Sequence, residues 1–228
     1  MSTKAQTDWE AFHQERAVAS HPRWPMEAMV KLVFGDYLSR RIHLPEGAQV
    51  IDVGCGFGNN LLPFLDRQMQ CCGVEITDSI ARVGRELLQK RGYNADIRHG
   101  ENRAIPFESD RFDLLLSLNV VHYEKHEADI MAALKEYERV LKPGASMVLF
   151  TAGPDHDIYQ RARILGDHRY EISDWDFRDG QQYFYFDNLK YLKYYVSRVF
   201  ESVETAKVTE CYPKLNLDFL VAVGRKRS

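Results

Sequence analysis

Three glycines at alternate positions, Gly54, Gly56 and Gly58, follow the apolar run Val50-Ile51-Asp52-Val53, which holds a single acid. Glycine serves two ends in such a turn. It adopts backbone angles that other residues avoid, and its missing Cβ lets a ligand lie against the main chain. A second apolar run, Cys71-Cys72-Gly73-Val74-Glu75-Ile76, carries an acid near its end. A Gly-rich first turn with an acid at the tip of the next strand is how a parallel α/β sheet holds a nucleoside, the acid accepting from ribose hydroxyls. The spacing here is G-x-G-x-G, not the dinucleotide G-x-G-x-x-G, in which a helix N-terminus faces a pyrophosphate. Asp52, two residues before the first glycine, is unhelpful to a pyrophosphate and useful to a ligand bearing an ammonium group. Two histidines follow later apolar runs: His122 in Asn119-Val120-Val121-His122-Tyr123, and His156 in Pro154-Asp155-His156-Asp157. Histidine titrates near neutral pH and suits removal of a proton from a hydroxyl or amine. The same positions also suit a pocket wall and a helix cap.

These residues need an alternating framework to bring them together. Strands are predicted near 49–53, 71–75, 95–99, 112–117 and 146–151, and helices near 60–68, 79–91 and 127–141. Such alternation implies right-handed crossovers and a parallel sheet. Thr77-Asp78-Ser79 offers N-caps to the second helix, and Ile130, Ala133, Leu134, Tyr137, Val140 and Leu141 form an apolar stripe on the third. Lys142-Pro143-Gly144 then stops that helix. Before residue 49, Trp9, Phe12, Val18, Met26, Met29, Val30, Val33, Phe34, Tyr37 and Leu38 recur at helical spacing and predict a helical cap over 1–48. Ser20-His21-Pro22-Arg23-Trp24-Pro25 interrupts it, either as a plain turn or as a strap carrying Arg23 towards a ligand carboxylate. Residues 152–187 are irregular and rich in His, Asp, Arg and aromatics, as expected of a lid or binding insertion. Within it Asp155, Arg169, Tyr170 and Tyr183, together with Tyr123, are candidates to hold a planar or sugar-like acceptor; the aromatics would equally build a small core of their own. Residues 188–228 read as an amphipathic helix and two alternating strands, 202–209 and 216–223, closing a single domain.

The run from Val50 to Asn60 resembles motif I of the class I S-adenosylmethionine-dependent methyltransferases. The likeness continues through Glu75, Gly100-Glu101-Asn102-Arg103-Ala104-Ile105-Pro106-Phe107, Phe112-Asp113-Leu114-Leu115-Leu116-Ser117 and Leu141-Lys142-Pro143-Gly144-Ala145, covering residues 49–151 in order and spacing. The resemblance implies a Rossmann-like, doubly wound, seven-stranded α/β sheet, mostly parallel, closed by an antiparallel C-terminal hairpin. It implies S-adenosyl-L-methionine as cofactor. Gly54, Cys55, Gly56 and Gly58 would lie under its methionine portion, with Asp52 acting on the ammonium. Glu75 would take the ribose hydroxyls, with Ile76 beside it. Glu101 would accept from the adenine amino group, the backbone of Asn102 would meet the ring edge, and Leu118 and Asn119 would flank the sulfonium. His122 and His156 become the candidate catalytic groups.

Composition narrows the acceptor. The 228 residues are 45% hydrophobic and 28% charged with a net charge of −3, so no global basic field advertises nucleic acid. No apolar run approaches the ~18 residues that span a bilayer, and no signal-peptide core opens the chain. Cys55, Cys71, Cys72 and Cys211 lack zinc-like spacing, no metal constellation is visible, and a reduced cytoplasmic protein is expected. The Asn/Asp-Pro-Pro-Tyr/Phe run used on planar nitrogen is also absent, since Ser117-Leu118-Asn119-Val120 departs from it. The expected acceptor is therefore a small molecule or sugar-containing metabolite, methylated at oxygen rather than nitrogen. RNA or protein, reached through a hidden basic face of Arg161, Arg163, Arg169 and Arg178, is the alternative, as is a non-catalytic binder of the cofactor.

Overall fold

The computed structural model describes residues 7, 8, 10–12, 15, 24–175 and 178–228. Five strands, β1 (Gln49–Val53), β2 (Gln70–Glu75), β3 (Asp96–His99), β4 (Phe112–Leu118) and β5 (Leu141–Ala152), alternate with helices. Two long strands, β9 (Glu201–Tyr212) and β10 (Leu215–Arg225), complete a seven-stranded sheet of order β3-β2-β1-β4-β5-β10-β9. Pairing is parallel throughout β3-β2-β1-β4-β5, whereas β10 runs antiparallel to both neighbours. The expected doubly wound sheet with a closing hairpin is present.

Alternation along the strands decides which helices cover which face. Val50, Leu114, Leu116, Val148 and Phe150 point to one side, where α1 (Glu27–Phe34) and α2 (Leu62–Leu65) pack through Met29, Leu32, Val33 and Phe64. Ile51, Val53, Leu115, Met147 and Leu149 point to the other, against α4 (Glu127–Val140) and α5 (Leu189–Ser197). Each fully buried Leu, Val, Ile or Phe side chain contributes about 1.5–3 kcal/mol, so two covered faces hold the sheet rigidly under any site at its edge. Helix α3 (Asp78–Gln89) starts as expected, with Thr77 Oγ1 accepting from the Ile80 N–H over 3.3 Å.

Three readings change. The helix expected over 60–68 is a 3₁₀ turn, Asn59–Leu61, followed by one α turn, Leu62–Leu65, and then a turn in which Gln68 takes a positive φ of 60°. The described residues between 152 and 187 carry regular structure, with β6 (Arg163–Gly166), β7 (Arg169–Glu171) and β8 (Gln182–Phe184) forming an antiparallel sheet over a small core of Ile158, Tyr159, Ile172 and Tyr183. Helix α1 stops at Phe34, and Tyr37, assigned to the helical stripe, is 66% exposed. Trp9, Val18 and the Ser20–Arg23 strap lie outside the described residues.

Candidate active site

The strand order reverses between β1 and β4, and a crevice opens at the carboxyl ends of the strands there. A cavity of about 650 Å³ fills it, walled by Val53, Val74, Glu75, Gly100, Leu118 and Ala152 from the five parallel strands. Its floor is the glycine turn. The N–H groups of Gly54 and Cys55 both donate to Val74 O, at 2.8 and 3.1 Å, bending the chain away from β1. Glu75 then holds the turn open. Its Oε1 accepts from the Gly56 N–H over 3.1 Å and its Oε2 from the Ile76 N–H over 2.9 Å. Gly54, Gly56 and Gly58 have φ of 72°, 53° and 76°. At Gly54 the requirement is double, because a Cβ there would overlap Val120 Cγ2.

Buried acids gather at this end. Asp52 is 1% exposed, and neither carboxylate oxygen has a hydrogen-bond partner. Burial pushes its carboxyl up to about 8, opposed by the neighbouring Asn60 amide, which stands outside bonding geometry, and reinforced by Glu75. Burial also raises Glu75 to about 7, against the two backbone N–H groups it accepts. Asn119, held at φ 60° with its N–H on Phe150 O at 2.9 Å, carries a third buried acceptor without a partner, Oδ1. Lone acceptors beside a floor whose backbone N–H groups are already bonded fit a ligand that brings positive charge and donors. S-adenosylmethionine, with its ammonium, sulfonium and ribose hydroxyls, satisfies that demand.

The opposite end is aromatic. His122 Nδ1 lies 3.1 Å from Thr151 Oγ1, and the imidazole packs against Tyr123 and Tyr183. His156 Nδ1 accepts from the Ile158 N–H over 3.1 Å, which caps the short turn Asp157–Tyr159 and leaves the ring proton of the neutral form on Nε2. Burial lowers both, His122 to about 3 with His156 and Arg178 adding to the effect, and His156 to about 4 against Asp157 and Asp218. Both histidines are therefore neutral at pH 7.

These shifts set a pH dependence of stability. Between about pH 4 and 6.5 the unfolded chain protonates the two histidines while the folded chain keeps protons on Asp52 and Glu75, so the two slopes oppose. Below pH 4 the histidine slope stands alone and stability falls as pH falls. Above pH 6.5 the acids stand alone: the folded state holds protons the unfolded state has lost, and stability falls as pH rises to about 8. From pH 6.5 to 8 these two acids are expected to remove on the order of 2 kcal/mol. Thermal melts across that range should show the loss, and Asp52→Asn should remove most of it. A wild-type melt as stable at pH 8 as at pH 6.5 would refute it.

Of the residues singled out in the sequence, Gly54, Gly56, Glu75, Ile76, Glu101, Asn102, Leu118, Asn119, His122, Tyr123 and His156 line this one cavity. Others do not. The Cys55 side chain turns away into a cluster with Ala81, Leu88 and Ile97, and Gly58 lies past the floor, capping the 3₁₀ turn. Asp52 sits beneath the floor. Asp155 points outwards, paired with Lys207 at 2.6 Å, because Asn216 and Asp218 of β10 capture its backbone. Arg169, Tyr170 and Tyr183 belong to the insertion's own sheet and core: Tyr170 packs on Tyr159 and Tyr185, and Tyr183 is buried behind His122 and Tyr123. The candidate basic face also disperses: Arg163 pairs with Glu171 at 2.7 Å, Arg161 lies 3.8 Å from Asp174, and Arg178 joins the cavity wall, its Nε donating to Tyr123 over 3.3 Å.

Glu124, Ile158, Trp175, Leu217 and Phe219 also line the cavity and were not foreseen. Leu217 and Phe219 arrive from β10, whose alternation was legible but whose position beside β5 was not. Among the described residues no group of three or more His, Cys, Asp or Glu is placed to hold a metal, and no helix is long and apolar enough to cross a membrane.

An open parallel sheet with a glycine floor, a buried acid at the tip of the next strand and partnerless acceptors is the architecture of the class I S-adenosylmethionine-dependent methyltransferases. The profile of the methyltransferase-domain family matches residues 50–144. The uncharacterized methyltransferase YcgJ of Bacillus subtilis is 30% identical over 102 residues, 44% of this chain and 39% of YcgJ. The ubiquinone biosynthesis O-methyltransferase of Roseobacter denitrificans is 27% identical over 123 residues, 54% of this chain and 48% of that protein. The match thus spans half or less of these relatives' length. A solved S-adenosylmethionine-dependent methyltransferase from Methanosarcina mazei superposes with a TM-score of 0.68 at 19% identity, over 81% of this chain and 94% of its own, which shows the shared fold.

Proposed function

We propose that the chain transfers the methyl group of S-adenosylmethionine to an oxygen of a small-molecule acceptor. One observation carries the reading: a single cavity joins the glycine floor and Glu75 to the compartment of His122, Tyr123, His156, Trp175 and Phe219. Bound there, S-adenosylmethionine supplies a methyl group on a sulfonium, which makes a neutral thioether the leaving group. Glu75 holds the ribose hydroxyls while keeping its bonds to the turn, since each carboxylate oxygen accepts more than one hydrogen bond. Asp52, from below the floor, favours the ammonium and loses its own proton as it does so. Glu101 and the Asn102 backbone meet the purine edge, and Leu118 and Asn119 face the sulfonium.

Alignment is the chain's main contribution at the other end, because in-line displacement depends on near-attack geometry. His156 presents an N–H, a donor suited to an acceptor oxygen. His122 bonds and orients the acceptor, whose hydroxyl proton passes to water as the oxygen–methyl bond forms and the sulfonium–methyl bond breaks, rather than storing that proton, since a group that titrates near 3 retains a proton poorly at pH 7. Tyr123, Trp175 and Phe219 offer faces for a planar ring, and Arg178 favours an electron-rich oxygen over an ammonium acceptor. A relative named for O-methylation in ubiquinone biosynthesis supports the oxygen assignment.

Calorimetric titration of S-adenosylmethionine and S-adenosylhomocysteine, followed by label transfer into small-molecule extracts, tests this reading. Micromolar binding and label in an organic-extractable product support it; binding of neither ligand sinks it, and label found only in RNA or protein moves the acceptor to a macromolecule. Once a product is identified, its pH–rate profile should lack an inflection near 6.5 attributable to His122. Such an inflection, abolished in His122→Gln, would restore that residue as a general base.

A further inference from the structure

Tyr137 belongs to the apolar stripe of α4 and is wholly buried. A phenylalanine would fill the same volume, but a phenol in a core needs partners. Here it has two. Ser117 Oγ donates to the Tyr137 oxygen over 3.1 Å, and the Tyr137 hydroxyl donates to Asn102 Oδ1 over 2.7 Å. With its oxygen so engaged, the Asn102 amide is oriented: Nδ2 donates to Glu124 Oε1 over 3.2 Å, while Glu124 Oε2 takes Arg103 Nε at 3.1 Å. Each group donates to the next in one sense, and the chain ends on a carboxylate, where hydrogen bonds are stronger. It begins on β4, passes through the core and emerges at Asn102 and Glu124 in the cavity wall. It also spans two loops, because Asn102 follows β3 whereas Glu124 closes the short turn that carries His122 and Tyr123.

We propose that Tyr137 is a positioning residue for the purine end of the cofactor site, acting through Asn102; the inference rests on the S-adenosylmethionine reading above. Tyr137 never meets the ligand. Its hydroxyl locks the Asn102 amide, and with it the backbone at the adenine edge, in the one orientation that donates to Glu124. Without the hydroxyl, Asn102 Oδ1 is a buried acceptor with no donor, a cost the loop relieves by spreading over several arrangements.

The test is calorimetric, with S-adenosylhomocysteine and 5′-methylthioadenosine as ligands for wild type, Tyr137→Phe, Asn102→Ala and the double variant. Tyr137→Phe is expected to weaken both ligands by the same factor, roughly tenfold, because the affected contacts lie on the fragment they share. In the Asn102→Ala background the same change should cost less than about twofold, since the tyrosine then has no amide to act through. Wild-type affinity in Tyr137→Phe would overturn the inference. So would an undiminished loss in the Asn102→Ala background, which marks general loosening of the core. Ser117→Ala, which trims the chain from its far end, provides a milder variant if Tyr137→Phe fails to fold: equal weakening of both ligands supports the inference, and wild-type affinity overturns it. Wild type binding neither ligand would bring down the cofactor reading and this inference together. Wild type binding both, with Tyr137→Phe unaffected, brings down the inference alone.

Discussion

Glu75→Ala is expected to cost S-adenosylhomocysteine binding two to three orders of magnitude, the largest loss from any single side chain in the site. The carboxylate has two tasks that alanine removes together. In the proposed complex it accepts from ribose hydroxyls, a contact worth about 1.5–3 kcal/mol, in the range of hydrogen bonds to a charged group. As the acceptor for the Gly56 and Ile76 N–H groups it holds the turn in its open shape, and leaving two half-buried donors without partners costs about 1–3 kcal/mol more in turn reorganisation. Glu75→Gln separates the tasks. A single amide oxygen can serve one turn N–H while its NH₂ meets a ribose oxygen, so roughly tenfold weakening is expected. Calorimetry on the three proteins decides: equal losses in Glu75→Gln and Glu75→Ala would mean that charge dominates, whereas near-wild-type affinity in Glu75→Ala would remove Glu75 from the cofactor site. Binding should also release protons at pH 7, because both Asp52 and Glu75 titrate near that pH in the free protein and are charged against the ligand. Titrations in buffers of different ionisation enthalpy read that number directly.

How far the sequence foretold this site depends on whether a residue's task is local. Glu75 and the glycine turn were legible because strand, turn and next strand tip lie within a short stretch whose side-chain period is fixed by backbone geometry. The same holds for Leu118, Asn119 and His122 at the end of β4. The insertion escaped because its strands are three or four residues long, too short for alternation to emerge from dense polar sequence. One signal was present: Asp167 and His168 take φ of 50° and 55°, the paired left-handed angles of a tight hairpin turn, and aspartate tolerates that conformation. The outward setting of Asp155 is illegible for a different reason. Its partner Lys207 and the strand that captures its backbone are more than fifty residues away, on a hairpin whose placement only the sheet order reveals. Tyr137 carries the same lesson in reverse. Helical periodicity places it in the core and is silent about its hydroxyl, whose partners come from two other segments of the chain.

Gly54→Ala is expected to destabilise the fold by about 2–5 kcal/mol, combining a left-handed backbone that alanine resists with overpacking in a closed space. It should also abolish cofactor binding at temperatures where the variant remains folded. The clash falls on Val120, whose three side-chain carbons crowd the position a Cβ would take, and Val120 immediately precedes the turn that presents His122 and Tyr123. Any relief must therefore come either from the glycine floor or from the acceptor wall, and both line the cavity. A second substitution separates the two causes. Val120→Ala removes the overlapping carbons and leaves the φ of 72° untouched, so Gly54→Ala/Val120→Ala should recover the overpacking share, about 1–3 kcal/mol, and retain the backbone share. Denaturant unfolding of the four proteins closes the cycle. Additive losses would show that Val120 yields freely and that the contact is not what demands glycine. Recovery of stability without recovery of S-adenosylhomocysteine binding would place the cofactor's approach to the main chain, rather than packing, as the reason that no Cβ is tolerated at this position.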